Sequence, residues 1–178
     1  MWKLWSKKTP SFVGIRIADE SLHCSVIEKQ DDKKMRCIAF ESIPLTNYEV
    51  VNGLIFNHVK LNKIISQFLR THKQEQSYVI VSFDDSLLLT HEKNGGLNIA
   101  PSVLFHFSLF VIAHNIKCIS FTTHNNAIDA AKADCNIIDH ESALPDQLIE
   151  HNDNCLQPLM LEAIGLFCIG KHSYEENY

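Results

Sequence analysis

Tyr78-Val-Ile-Val-Ser-Phe83 is the stretch that most narrows what this chain can fold into. A short, β-branched apolar run without alternation reads as a strand covered on both faces, inside a largely parallel sheet. A parallel strand needs a crossover, and the residues before it supply one. Leu61, Ile64, Ile65, Phe68 and Leu69 recur at helical spacing, with Asn62, Lys63, Gln67 and Arg70 opposite, so a helix ends near His72 or Lys73.

Upstream the pattern changes to short strands joined by tight turns. Phe12-Val-Gly-Ile-Arg-Ile17 is a strand rich in β-branched residues, and Asp19-Glu20-Ser21 is a turn. Leu22, Cys24 and Val26 then alternate with His23, Ser25 and Ile27 in a second strand. Lys29 to Lys34 turns the chain into a third, Met35 to Ile43. Connections this short require antiparallel pairing. Pro44 to Gly53 is expected as a loop, and His91 to Pro101, with Asn94-Gly95-Gly96, as a flexible connection. Beyond it the pattern predicts a buried helix over Val103 to Asn115, a strand over Ile116 to Thr122 and a helix over Asn125 to Ala133. A short strand at 136–138, a helix over Leu156 to Ile169 with Pro158 in its first turn, and a polar tail over Glu175 to Tyr178 complete the expected order. An antiparallel meander followed by strands reached through helical crossovers is an α/β order, that of the ribonuclease H-like core shared by actin-like ATPases. The expected division is a first lobe over residues 1–92, a linker over 93–101 and a reduced second lobe with the C-terminal helix over 102–178.

Composition limits the function. The chain of 178 residues has 46% hydrophobic and 21% charged residues, a globular balance, and a net charge of −5 that argues against nucleic acid as a partner. Charge is unevenly placed: from Asp129 onward ten acidic residues face only Lys132 and Lys171. The six cysteines include no C-x-x-C pair and sit among apolar neighbours, as in a reducing cytosol. No apolar run approaches the ~20 residues needed to cross a bilayer. The opening residues, with Trp2, Leu4, Trp5, Lys3, Lys7 and Lys8, have the chemistry of a membrane-surface contact, although a frayed terminus is the plainer expectation.

In its first ninety residues the chain resembles the PilM family, the actin-like cytosolic components of type IV pilus assembly. The likeness runs through Phe12-Val-Gly-Ile-Arg-Ile-Ala-Asp-Glu-Ser-Leu-His23, Phe40-Glu-Ser-Ile-Pro-Leu45, Val51-Asn-Gly-Leu-Ile55 and Tyr78-Val-Ile-Val-Ser-Phe-Asp-Asp-Ser86. Leu109 to Ala130 and Leu161-Glu-Ala-Ile-Gly-Leu-Phe-Cys168 are similar to later segments of the family. The intervening chain is short, as in HofM-type relatives. The resemblance implies a reduced actin-like fold at the cytosolic face of a bacterial inner membrane. It also implies a PilN-like membrane partner held by its cytosolic N-terminal segment, further pilus or secretion assembly proteins, and room for oligomerisation.

The family's chemistry is where the sequence departs. Actin-like ATPases carry an aspartate near the metal on the first strand, then a glycine that lets backbone approach phosphate. In the segment Gly14, Arg16, Ala18, Asp19, Glu20, Ser21 those two positions are Arg16 and Ala18. A guanidinium cannot ligate Mg²⁺, which takes oxygen donors. The expected role of Arg16 is an ion pair with a carboxylate such as Asp85, with Asp84-Asp85 otherwise a solvated turn. No second phosphate loop follows Gly96. The expectation is therefore a non-enzymatic protein with no cofactor, no catalytic residue and no metal, its partner-binding residues unassigned. A divergent nucleotide-binding ATPase and an oligomeric scaffold with another partner are the alternatives. Cys135, His140, His151 and Cys155 offer zinc-type ligands, but without a paired knuckle dispersed side chains are the default.

Overall fold

The computed structural model describes residues 11–31, 34–46, 48–84, 88–91, 97–134 and 156–177. Strands β1 (Phe12–Ile17), β2 (Ser21–Asp31) and β3 (Lys34–Pro44) form the expected meander. After the small hairpin β4 (Val50–Val51) and β5 (Leu54–Ile55), helix α1 (His58–Thr71) crosses over to β6 (Tyr78–Phe83). A second hairpin, β7 (Leu88–His91) and β8 (Leu97–Ile99), leads to α2 (Pro101–Ala113), β9 (Cys118–Thr123), α3 (His124–Asp134) and α4 (Leu156–Asn177).

The main sheet has the order β3-β2-β1-β6-β9. β1 pairs antiparallel with β2 and parallel with β6, and β6 pairs parallel with β9. Three antiparallel strands continued by two parallel ones form the ribonuclease H-like arrangement that the element order predicts. Residues 102–178, expected as a reduced second lobe, supply β9, α3 and α4 to this same sheet and its outer layer.

Two apolar layers sandwich the sheet. On one face Val13, Ile15 and Ile17 of β1 pack with Leu61, Ile65 and Phe68 of α1 and with Val103, Phe107 and Phe110 of α2. On the other, Phe12 and Ile80 pack with Ala127 and Ala131 of α3 and with Ala163, Ile164, Leu166 and Phe167 of α4. The alternation along β1 decides which residue joins which layer. The α4 face carries Phe12, Gly14 and Arg16. Gly14 is small for a reason: a Cβ there would lie 2.8 Å from Ser25 Oγ and 3.0 Å from Leu166 Cδ1, so α4 approaches β1 closely.

Four local expectations change. The Pro44–Gly53 segment carries β4, with Asn52 and Gly53 at positive φ in the hairpin turn. Part of the His91–Pro101 connection is paired strand, at His91 and at Leu97–Ile99. Helix α2 is not buried all round: Phe105, Leu109 and Ile112 are exposed. Helix α4 runs through Glu175 to Asn177, where a polar tail was expected, with an i,i+4 pair between Lys171 and Glu175 in its last turns. The short strand expected at 136–138 and the set Cys135, His140, His151 and Cys155 lie outside the described residues.

The β4–β5 hairpin is fixed by a buried carboxylate. Thr46 Oγ1 donates to Glu49 at 2.7 Å, and Lys60 of α1 pairs with the same group, which is 1% exposed. Lys60 first and Thr46 second hold the Glu49 carboxyl down at about 2. A carboxyl lowered on folding stabilises the protein above its ordinary value near 4.5 and loses that contribution as pH falls towards about 2. Thermal scans from pH 5 down to pH 2 should therefore show a steeper loss of melting temperature for the natural chain than for Glu49→Gln. Equal slopes would remove Glu49 as the source.

Candidate functional site

The carboxyl ends of β1, β6 and β9 point the same way, and in open α/β sheets that end is where ligands bind. Register places one residue from each strand in a row across the sheet there: Ser42, His23, Arg16, Ser82 and Thr122. All five are polar. Helix α4 lays Glu162 over the row, and α3 begins beside it with His124.

Arg16 is the centre of this cluster. Its Nη2 donates to Asp84 Oδ2 at 2.6 Å, and its Nη1 lies 3.5 Å from Glu162 Oε2. Glu162, 2% exposed, also accepts from Ser82 Oγ at 2.5 Å and meets His124 Nδ1 at 2.9 Å. A buried carboxylate is tolerated only when it is hydrogen-bonded and its charge is matched; Ser82 supplies the hydrogen bond and Arg16 the charge, while His124 Nδ1 lies close by without a hydrogen bond. The expected ion pair of Arg16 thus includes Asp84, which directly follows β6 next to the end of β1, while Asp85 lies outside the described residues. Asp84 is bound into the cluster and is not the solvated turn residue anticipated.

His23, opposite Arg16 on β2, makes a 2.9 Å hydrogen bond through Nε2 with Ser21 Oγ and stacks on Phe40. Burial, then the charges of Arg16 and His124, lower its pKa. It is therefore a neutral imidazole at neutral pH and adds no charge beside the guanidinium.

The remaining residues of the degenerate loop serve structure. Gly14 lies within β1 under α4, away from any loop. Ala18 N–H donates to Ser21 O at 3.0 Å and closes the β1–β2 turn, and Glu20 O accepts from Leu45 N–H. Asp19 accepts from Asn52 N–H at 2.8 Å and Gly53 N–H at 3.1 Å, tying that turn to the β4–β5 hairpin. Each Asp19 oxygen thus accepts one backbone N–H.

A metal would need the oxygens of Asp84 and Glu162 to face a common cation, and the guanidinium of Arg16 is the cation they face. Among the described residues no three His, Cys, Asp or Glu side chains gather as a metal-binding group. The described residues do not fit the Mg²⁺ of an actin-like or ribonuclease H-like centre.

Thiol chemistry is also disfavoured at Cys24, Cys37 and Cys118. Burial pushes Cys24 far above its ordinary value, Cys37 up to about 12 and Cys118 up to about 11. These thiols stay protonated near pH 8 and lack the thiolate that alkylation needs. Iodoacetamide should modify Cys24, Cys37 and Cys118 only after denaturant is added, as read by peptide mass spectrometry. Rapid labelling of Cys24 in the folded chain would contradict this.

No protein-family model matches the chain, and no curated protein matches it by sequence. Similarity appears at the level of structure. RuvC of Thermus thermophilus, solved with a Holliday junction substrate, superposes over 93% of this chain and 95% of its own, with a TM-score of 0.52 and 10% identity. The ethanolamine utilization protein EutJ of Carboxydothermus hydrogenoformans matches over 70% of this chain, with a TM-score of 0.47 and 9% identity; the chain spans 41% of EutJ. A Ppx/GppA phosphatase of Aquifex aeolicus matches over 70% of this chain and 41% of its own, with a TM-score of 0.45 and 8% identity. The strand order together with the RuvC superposition defines the class: this is an α/β protein of the ribonuclease H-like fold. At such identities the likeness is one of fold.

Proposed function

We propose that this chain is a non-enzymatic assembly protein, a ribonuclease H-like domain whose catalytic position has become a structural ion-pair cluster. The observation that carries the reading is Arg16, which occupies the space between Asp84 and Glu162 as a fixed organic cation. Phosphoryl transfer on this fold relies on a metal held by oxygen ligands, and a guanidinium supplies no ligand and repels the ion. The same residue speaks against nuclease chemistry, so the fold shared with RuvC carries no activity across.

In the finer form of this proposal the chain belongs to a type IV pilus-like, secretion or DNA-uptake machine. It works at the cytosolic face of the inner membrane and holds the cytosolic N-terminal segment of a PilN-like bitopic protein. The resemblance of residues 1–90 to PilM-type sequences supports this form. Two measurements test it. Millimolar Mg-ATP should leave the melting temperature unchanged, since a real nucleotide site raises it by mass action. Affinity capture from detergent-solubilised membranes should then recover a bitopic inner-membrane protein whose cytosolic N-terminal peptide binds the purified chain. A nucleotide-dependent shift would instead support the divergent ATPase, and capture without such a partner would remove the pilus assignment.

A further inference from the structure

Helix α2 is apolar on two opposite faces, and the fold uses only one of them. Val103, Phe107 and Phe110 form the inward face, all buried. Phe107 packs edge-on against Phe83 of β6 with ring centroids 5.3 Å apart, and Phe110 meets His58 of α1 at 5.6 Å. At ~100° per residue Phe105, Leu109 and Ile112 fall within an arc of about 60° on the other side. They are 63%, 46% and 76% exposed, so nothing among the described residues covers them fully. A helix that is hydrophobic on every side is one that the assembled molecule buries.

The outward stripe is also uncharged. Between Lys93 and Lys117 the sequence holds no Asp, Glu, Lys or Arg, although charged residues make up 21% of the chain. Ser102 and Ser108, both small and exposed, flank the stripe on its two sides. A charged partner surface would lose its hydration against such a face and gain no ion pair in return. The surface that fits must therefore be apolar and uncharged itself. Acyl chains are apolar too, but helices that lie in a membrane surface carry Lys and Arg on their polar face, and α2 has neither.

We infer that α2 is the seam of a twofold-symmetric dimer, in which the α2 helices of two copies pack antiparallel through Phe105, Leu109 and Ile112. A second copy supplies the same uncharged apolar stripe, and two chains of net charge −5 can meet there because the stripe carries no like charges. Pairing about the midpoint between Ser108 and Leu109 sets Phe105 of one copy opposite the partner's Ile112. It also sets Leu109 opposite the partner's Ser108, a large side chain against a small one at the closest approach.

The area involved is enough for a reversible dimer. At roughly 150–200 Å² for a fully exposed side chain of this size, the stripe holds about 300 Å² of apolar surface per copy. Pairing removes about 600 Å² in total from water, and exposed Ser102, Ser108 and Ala113 extend the contact towards the ~1,200 Å² of the smaller stable interfaces. The contact uses neither Arg16 nor a membrane protein, so it stands apart from the assembly role proposed above.

Sedimentation equilibrium of the full chain tests it. The natural chain should show twice the mass of one chain at about 100 µM and fall towards a single mass on about hundredfold dilution. Phe105→Glu with Ile112→Glu changes only exposed positions and should weaken association about tenfold or more. Phe105→Lys with Ile112→Glu puts opposite charges across each pair and should associate more tightly than that variant. Phe56→Glu with Val59→Glu, equally exposed but at the start of α1, should leave association within about twofold. Circular dichroism shows whether each variant is folded. A natural chain that stays monomeric at every concentration overturns the inference, and its flotation with phosphatidylcholine vesicles would mark the stripe as a lipid contact instead. Association untouched by the α2 glutamate substitutions overturns it as well. Growth into species beyond the dimer does the same, since it marks an open head-to-tail contact. Equal weakening by the two α2 variants would rule out the antiparallel pairing.

Discussion

Arg16→Ala should lower the melting temperature by roughly 6–12 °C, from a loss of about 3 kcal/mol in a chain of this size. Removing one partner of a buried ion pair leaves the other charge uncompensated, and Glu162, 2% exposed, has no route to water. Asp84 softens the loss because its side chain is 29% exposed and solvent screens it. Arg16→Lys should fall between the two, since an ammonium keeps the charge but cannot span both carboxylates with one planar fork. Adding Glu162→Gln to Arg16→Ala should recover part of the stability, because an amide needs no counter-charge while Ser82 can still donate to it. A loss below about 1 kcal/mol for Arg16→Ala would show the cluster to be no more than a surface pair.

The same position offers a test of whether Arg16 fills the place of a metal ion. Arg16→Asp removes the organic cation and places a third carboxylate beside Asp84 and Glu162. That variant should be less stable than the natural chain without metal and should regain melting temperature on adding Mn²⁺. The natural chain should show no such response. Stabilisation of the natural chain by Mn²⁺ would mean that Arg16 does not fill the ion's place.

The sheet was legible because its signals are local. Alternation along Leu22 to Ile27, tight turns and the unbroken Tyr78–Phe83 run each report on a few neighbouring residues, and they fixed the strand directions. The site was legible only from one side. Arg16 drew notice as a charge in an apolar strand, but its partners come from 68 and 146 residues further on, and no local pattern links them. Glu162 did leave a trace, a single carboxylate in the otherwise apolar stretch Leu159 to Ile169. A lone acid there must meet a cation, and Arg16 was the strand-borne cation awaiting a partner. His124 left no trace, because a histidine at a strand–helix junction looks like any other. That Asp84 reaches Arg16 depends on where β6 ends, and strand ends are the least predictable feature of a sequence.

Gly165→Ala should be the more damaging substitution, costing about 3 kcal/mol or more. A methyl group there would stand 1.7 Å from the carbonyl oxygen of Ala127 in α3, well inside contact distance. Alanine is the better helix former by about 1 kcal/mol, so propensity alone would favour the change. Packing decides otherwise, because the obstacle is backbone, and α3 cannot withdraw without uncovering Ala127 and Ala131, both 0% exposed. Gly170→Ala on the same helix is the control. Its added methyl would meet Ile80 Cδ1 at 2.4 Å and Cγ1 at 2.7 Å, side-chain atoms that can repack without moving a backbone. Denaturant midpoints should therefore order the natural chain first, Gly170→Ala second and Gly165→Ala last. If Gly165→Ala were as stable as the natural chain, α3 and α4 could not be in backbone contact. Glu162 and His124 would then lose the frame that brings them to Arg16, since those two side chains stand on α4 and α3 respectively.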